Sequence, residues 1–134
     1  WRKTFGSLFK KGETKDKDQM LLAKYNRNRG VPYYALVAGF TEIGETFEEC
    51  VAREVMEETG ITVTNIHYYK SQPWGVADDL LAGFICEATG NMEITRDDSE
   101  LAVAEWKYRD EVVLQPDQFS LTNEIMTIFK NGEI

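Results

Sequence analysis

Residues 39–61 read GFTEIGETFEECVAREVMEETGI, and eight of these 23 residues are charged. Thr46 followed three positions later by Glu49 spells a capping box, and Gly60 supplies a stop, so the spacing predicts a helix over 46–59. On that helix Glu54, Glu57 and Glu58 are three and four residues apart. At roughly 100° per residue they crowd an arc of about 100°, and like charges so placed repel. Val51 and Val55 lie beside the arc and face a core. Arg53 stands four residues before Glu57 and can pair with it, or it can reach back to Glu45 on the preceding loop.

Outward from this helix the chain is rich in strand signals. RKTFGSLFK (2–10), MLLAKY (20–25), YYALVAG (33–39), ITVTNIHYYK (61–70), LLAGFICEA (80–88) and LAVAEWKY (101–108) read as strands. Polar turns are expected at 10–19 and around Gly30 and Pro32, with loops at SQPWGVADD (71–79) and 89–99. RDEVVLQP (109–116) reads as a turn or short helix. In SLTNEIMTIFK, Leu121, Ile125, Met126 and Phe129 recur at helical spacing, which predicts a closing amphipathic helix. Strands surrounding one long helix suggest an α/β sandwich with a mixed sheet.

At 134 residues the chain is expected to form one domain over 1–134 with its own core. It opens at Trp1 rather than Met, as in a chain trimmed from a longer protein, and no secretory leader is visible. No apolar run approaches the ~18 residues of a membrane span. Cys50 and Cys86 are isolated in apolar surroundings, which disfavours a zinc site and fits a reducing, cytoplasmic setting. The net charge of −8 argues against non-specific nucleic-acid binding. The charge is uneven, however: residues 1–30 carry +6 and the rest −14. His67 is the lone histidine and is given no role, so a Ser-His-Asp triad is excluded on this chain.

Three clustered glutamates, taken alone, read as a solvated acidic face. As a ligand set, they relieve their repulsion by binding a cation, and oxygen-only donors select Mg²⁺ or Mn²⁺. The full stretch favours the second reading. Gly39, Glu45, Arg53, Glu54, Val55, Glu57, Glu58, Gly60 and Ile61 fill every defined position of the Nudix box, so the stretch resembles that motif. The resemblance implies a Nudix-type α/β/α sandwich that hydrolyses diphosphates linked to another moiety, with Mg²⁺ or Mn²⁺ as cofactor. It implies that Glu54, Glu57 and Glu58 ligate metal or act through metal-bound water, and that Gly39, Glu45, Arg53 and Gly60 are structural.

A second stretch bears on the substrate. Ser71, Gln72, Pro73 and Trp74, with the flanking sequence over roughly 21–106, resemble the catalytic domain of NADH pyrophosphatases. The likeness implies substrate contacts for Phe40, Gln72 and Trp74, with Phe40 stacking on a ring of the dinucleotide. It also implies metal contacts for Glu100, six residues before Trp106, and for the carbonyl of Ala38, and a homodimer. The expected reaction is hydrolysis of NADH or NAD⁺ to a mononucleotide and AMP. Gly75–Asp79 depart from the Pro-Phe-Pro-x-Ser part of the subfamily signature, and the four-cysteine zinc ribbon of many members is absent from these residues. Other nucleoside diphosphate derivatives therefore stay open: ADP-ribose, coenzyme A, a nucleoside triphosphate or an NAD-capped RNA end. So does a nucleotide-sensing module without turnover.

Overall fold

In the computed structural model, residues 2–26, 33–74, 79–116 and 120–134 are described. The side chains of Arg2, Trp74 and Asp79 lie outside that description. Six strands form one mixed sheet: β1 (Arg2–Lys10), β2 (Gln19–Tyr25), β3 (Val37–Phe40), β4 (Thr62–Trp74), β5 (Asp79–Thr89) and β6 (Leu101–Tyr108). Two helices complete the fold, α1 (Phe47–Thr59) and α2 (Leu121–Lys130). The sheet order is β4-β5-β1-β2-β6, with β3 paired to β1. β1 runs parallel to β5 and antiparallel to β2 and β3.

Strand alternation divides the core between the two helices. Leu8, Leu21, Val37, Ala82, Phe84 and Cys86 pack with Val51 and Val55 of α1. Their neighbours Phe9, Met20, Leu22, Leu36, Leu81 and Ile85 pack with Leu121, Ile125, Met126 and Phe129 of α2. A shift of one residue in β1, β2 or β5 would exchange the two faces, so the two cores fix the register. The α/β sandwich with a mixed sheet is thus the observed architecture.

The loop expected at 71–79 is corrected in part. Ser71, Gln72, Pro73 and Trp74 continue β4, opposite Ala82, Leu81, Leu80 and Asp79 of β5. Proline usually argues against a strand because it lacks an N–H, but β4 is the sheet edge, where no ladder partner requires one. Residues 75–78, like the turn expected at Gly30 and Pro32, lie outside the described residues.

α1 starts and stops on local chemistry. The Thr46 hydroxyl accepts from the Glu49 amide at 3.1 Å, and the Glu49 carboxylate accepts from the Thr46 amide at 2.9 Å. Gly60 closes the helix at φ 71° and donates to the Met56 carbonyl at 3.0 Å. The edge of α1 beside Val51 and Val55 carries Glu54, Glu57 and Glu58 to the acidic cavity.

Candidate active site

Among the described residues, a cavity of about 830 Å³ is lined by Ala38, Gly39 and Phe40 of β3 and by Arg53, Glu54, Glu57 and Glu58 of α1. Asp97 and Glu100 enter from the loop before β6, and Lys3 enters from β1. Sequence-distant carboxylates are thereby gathered at one end of the sheet.

Arg53 organises one side. Its Nε and Nη2 bind the Glu45 carboxylate at 2.6 and 2.9 Å, a two-pronged pairing that ties the loop to the helix. Nη2 also donates to the Phe40 carbonyl at 3.1 Å, and Nη1 reaches Glu54 at 2.9 Å and Glu57 at 3.3 Å. The arginine thus makes both contacts that its position allowed, to Glu45 and to Glu57. Its hydrogen bonds hold the Glu45 carboxyl down to about 2. Glu54 moves the other way. Burial raises its pKa, Arg53 lowers it, and the charges of Glu57 and Glu45 raise it again.

Gly39 is required by close packing. A Cβ at this position would sit 2.2 Å from the Glu54 Cδ and 2.5 Å from its Oε1. The carboxylate therefore rests against bare backbone.

Glu58 is only 5 % exposed. Its Oε2 accepts from the Tyr25 hydroxyl at 3.1 Å. The Ala38 amide donates to the same hydroxyl at 2.8 Å, and the Ala38 carbonyl lies 3.2 Å from it. The loop carrying Glu100 is fixed by backbone. Asp97 and Thr95 donate to the carbonyls of Glu58 and Thr59 at 2.9 and 2.8 Å, and Asn26 donates to the Glu100 carbonyl at 2.9 Å.

The donor chemistry of this cavity fits a hard divalent cation: carboxylates and a backbone carbonyl, with no histidine, cysteine or methionine among the described lining residues. The side chains are not drawn into a ready cage. Among the described residues no three His, Cys, Asp or Glu side chains converge on a common point. Arg53 holds Glu54 and Glu57, while Tyr25 holds Glu58.

The NUDIX domain profile matches residues 12–127. The chain belongs to the Nudix family. Curated Nudix relatives include the NAD-capped RNA hydrolase NudC of Vibrio cholerae, 51 % identical over 89 residues, 66 % of this chain and 32 % of the relative. NudC of Photorhabdus laumondii is 38 % identical over 109 residues, 81 % of this chain and 42 % of the relative. The chain spans about a third of the length of the Vibrio relatives it matches. Two solved structures share the fold. The Nudix domain of Shewanella oneidensis NrtR, complexed with ADP ribose, superposes with a TM-score of 0.73 at 13 % identity, covering 98 % of this chain and 85 % of that one. A Nudix hydrolase from Nitrosomonas europaea gives 0.74 at 18 % identity, covering 96 % and 70 %.

Within this Nudix domain the structure brings Ala38, Gly39, Phe40, Arg53, Glu54, Glu57, Glu58 and Glu100 to one cavity. Glu45 lies behind them on Arg53, and Gly60 ends the helix. Gln72 is placed elsewhere: on the edge strand β4 its side-chain oxygen accepts from the Leu121 amide at 3.0 Å, and it is not among the described cavity residues. The Trp74 side chain lies outside the described residues. Tyr25 and Lys3 were missed by sequence reasoning. Both sit in ordinary strand patterns, and only the pairing of distant strands carries them to the acidic helix.

Proposed function

We propose that this Nudix domain hydrolyses the diphosphate of a nicotinamide dinucleotide, free NADH or NAD⁺ or the same group at an RNA 5′ end, with Mg²⁺ or Mn²⁺. The observation that carries the reading is the meeting of Glu54, Glu57, Glu58 and Glu100 with a 43 % exposed Phe40 in one cavity. Its volume of about 830 Å³ falls in the range of small-molecule sites, roughly 300–1,000 Å³. The names of the NudC relatives support the nicotinamide dinucleotide and favour the capped RNA among the substrates left open by the sequence.

Glu54, Glu57, Glu58, Glu100 and the Ala38 carbonyl would hold the cation. When bound, it supplies charge to the phosphate oxygens and makes water easier to deprotonate. Phe40 offers a flat face to a base or nicotinamide ring beside the carboxylates. Water adds to one phosphorus, the bridging P–O bond breaks, and a glutamate (Glu57, Glu58 or Glu100) takes the water proton. From the free dinucleotide the products are nicotinamide mononucleotide, reduced when NADH is the substrate, and AMP; from a capped RNA they are the same mononucleotide and an RNA that ends in a 5′-monophosphate. Arg53 keeps Glu54 and Glu57 on the cavity side of the helix and fixes the loop through Glu45.

We also propose a cytoplasmic homodimer, with Trp74 of the edge strand contributing to nucleotide binding. Among the described residues no helix is long and apolar enough to cross a membrane.

The test is a substrate panel with Mg²⁺ or Mn²⁺: NADH, NAD⁺, ADP-ribose, coenzyme A, nucleoside triphosphates and NAD-capped RNA, read as the two phosphorylated products that diphosphate cleavage of each substrate gives. The proposal expects the nicotinamide dinucleotides to lead. A rate for NADH and capped RNA below a tenth of that for ADP-ribose would overturn the substrate assignment.

A further inference from the structure

Tyr25 is the last residue of β2, and the β2–β6 register shifts between Lys24 and Tyr25. A bulge re-aims the side chain that follows it. Here the side chain is 4 % exposed and its hydroxyl lies under the cavity. The Ala38 amide donates to the Tyr25 Oη at 2.8 Å. The single hydroxyl proton then has two acceptors in reach, the Ala38 carbonyl at 3.2 Å and Glu58 Oε2 at 3.1 Å. The next residue, Asn26, donates its amide to the Glu100 carbonyl at 2.9 Å and its side-chain amide to the Asp98 carbonyl at 2.7 Å. The end of β2 therefore touches β3, the end of α1 and the Glu100 loop, three segments that share no local sequence.

We infer that Tyr25 is a positioning residue that aligns the Ala38 carbonyl and the Glu58 carboxylate as a pair of oxygen donors. The inference rests on the metal reading above. One proton cannot satisfy both acceptors. With the Ala38 carbonyl given to a cation, the proton would serve Glu58 and fix its Oε2. The Ala38 amide keeps its acceptor in either state, so the β3 backbone is not disturbed by the exchange. Without the hydroxyl, the carbonyl and the carboxylate lose the partner they share, and bringing them together on the ion costs more. That ordering cost appears as weaker binding.

The experiment is titration of the whole chain with Mn²⁺ alone, by calorimetry and by the free-Mn²⁺ electron paramagnetic resonance signal, for wild type and Tyr25→Phe. Circular dichroism and Tm establish that the variant is folded at the titration temperature. The expected result is a Kd for Mn²⁺ about 5- to 30-fold weaker, with most of the kcat recovered when Mn²⁺ is raised to saturation. Thr127→Val, which removes a hydroxyl bond to the Asn123 carbonyl in α2, serves as a control that lowers Tm and leaves Kd unchanged. If Tyr25→Phe does not fold, Tyr25→Leu, which also removes the hydroxyl and offers no hydrogen bond in its place, carries the same comparison. Equal Kd values in a folded variant and wild type would overturn the positioning role alone. No Mn²⁺ uptake by wild type would overturn the metal reading and this role with it.

Discussion

Arg53 and Glu45 meet through two hydrogen bonds, at 2.6 and 2.9 Å, with the carboxylate only 13 % exposed. The pair joins the loop after β3 to the middle of α1, and Arg53 also holds the Phe40 carbonyl, so the carboxylate helix is tied to the β3 backbone. Lysine cannot reproduce the planar fork. Arg53→Lys is expected to lower stability by about 1–2 kcal/mol, since it breaks charge-assisted hydrogen bonds. Activity should fall further than stability, because Glu54 and Glu57 lose the same partner. Urea unfolding and steady-state kinetics on one preparation test both.

The same pair sets an acid limb. The Glu45 pKa is lowered from 4.5 to about 2 on folding. A carboxylate depressed in the folded state stabilises fully above its unfolded pKa and loses that contribution as pH falls through the folded one. Stability should therefore drop between about pH 4.5 and 2. Glu45→Gln is expected to flatten that limb while costing stability at pH 7. Urea midpoints measured from pH 7 to 2 read the difference, and superimposable profiles would remove Glu45 from the account.

Glu54 has the opposite sign. Burial, joined by the charges of Glu57 and Glu45, raises its pKa despite Arg53. Its ionised form therefore costs folding stability as pH rises through and above the unfolded value. Without metal, Glu54→Gln should keep or raise Tm at pH 7, by about 3 °C at most, a shift that matches roughly 1 kcal/mol for a chain of this size. The same variant should lose about 100-fold or more in turnover. A large fall in Tm would mean that Glu54 serves the fold rather than the cavity.

Two neighbouring positions separate shape from stacking. Gly39→Ala places a Cβ within 2.2 Å of the Glu54 Cδ, so the carboxylate must move. A displacement of that order at a catalytic group costs about 100-fold in rate. Phe40→Ala removes a ring that is already 43 % exposed. It should leave Tm nearly unchanged and raise KM for a dinucleotide by roughly 3- to 10-fold, the equivalent of 0.5–1.5 kcal/mol of ring stacking. Kinetics of the two variants on NADH provide the comparison.

What the sequence could disclose follows the reach of each interaction. The capping of α1 by Thr46 and Glu49, its stop at Gly60 and the crowding of Glu54, Glu57 and Glu58 depend on neighbours within one or two turns, so spacing alone reveals them. The two options for Arg53 were also local, and the folded chain uses both. Apolar periodicity likewise disclosed α2. The strand at 71–74 was hidden because Pro73 is permitted only by its place at an edge, which depends on the order of the whole sheet. Tyr25 was hidden for the same reason. It lies 33 residues from Glu58 and 13 from Ala38, and no local pattern marks a tyrosine whose partners come from other elements. Gln72 shows the converse: its motif is plain in the sequence, yet its oxygen is engaged with the Leu121 amide, away from the acidic cavity.

The most direct measurement is release of AMP from NADH in saturating Mn²⁺ by wild type and by Glu58→Gln, with both shown to be folded. Glutamine keeps the size of the buried side chain and its contact with Tyr25 but removes the charge offered to the cation. The account predicts a loss of at least about 100-fold in kcat/KM, in the range seen when an electrostatic group at a reacting centre is removed. Equal rates for the two proteins would contradict it.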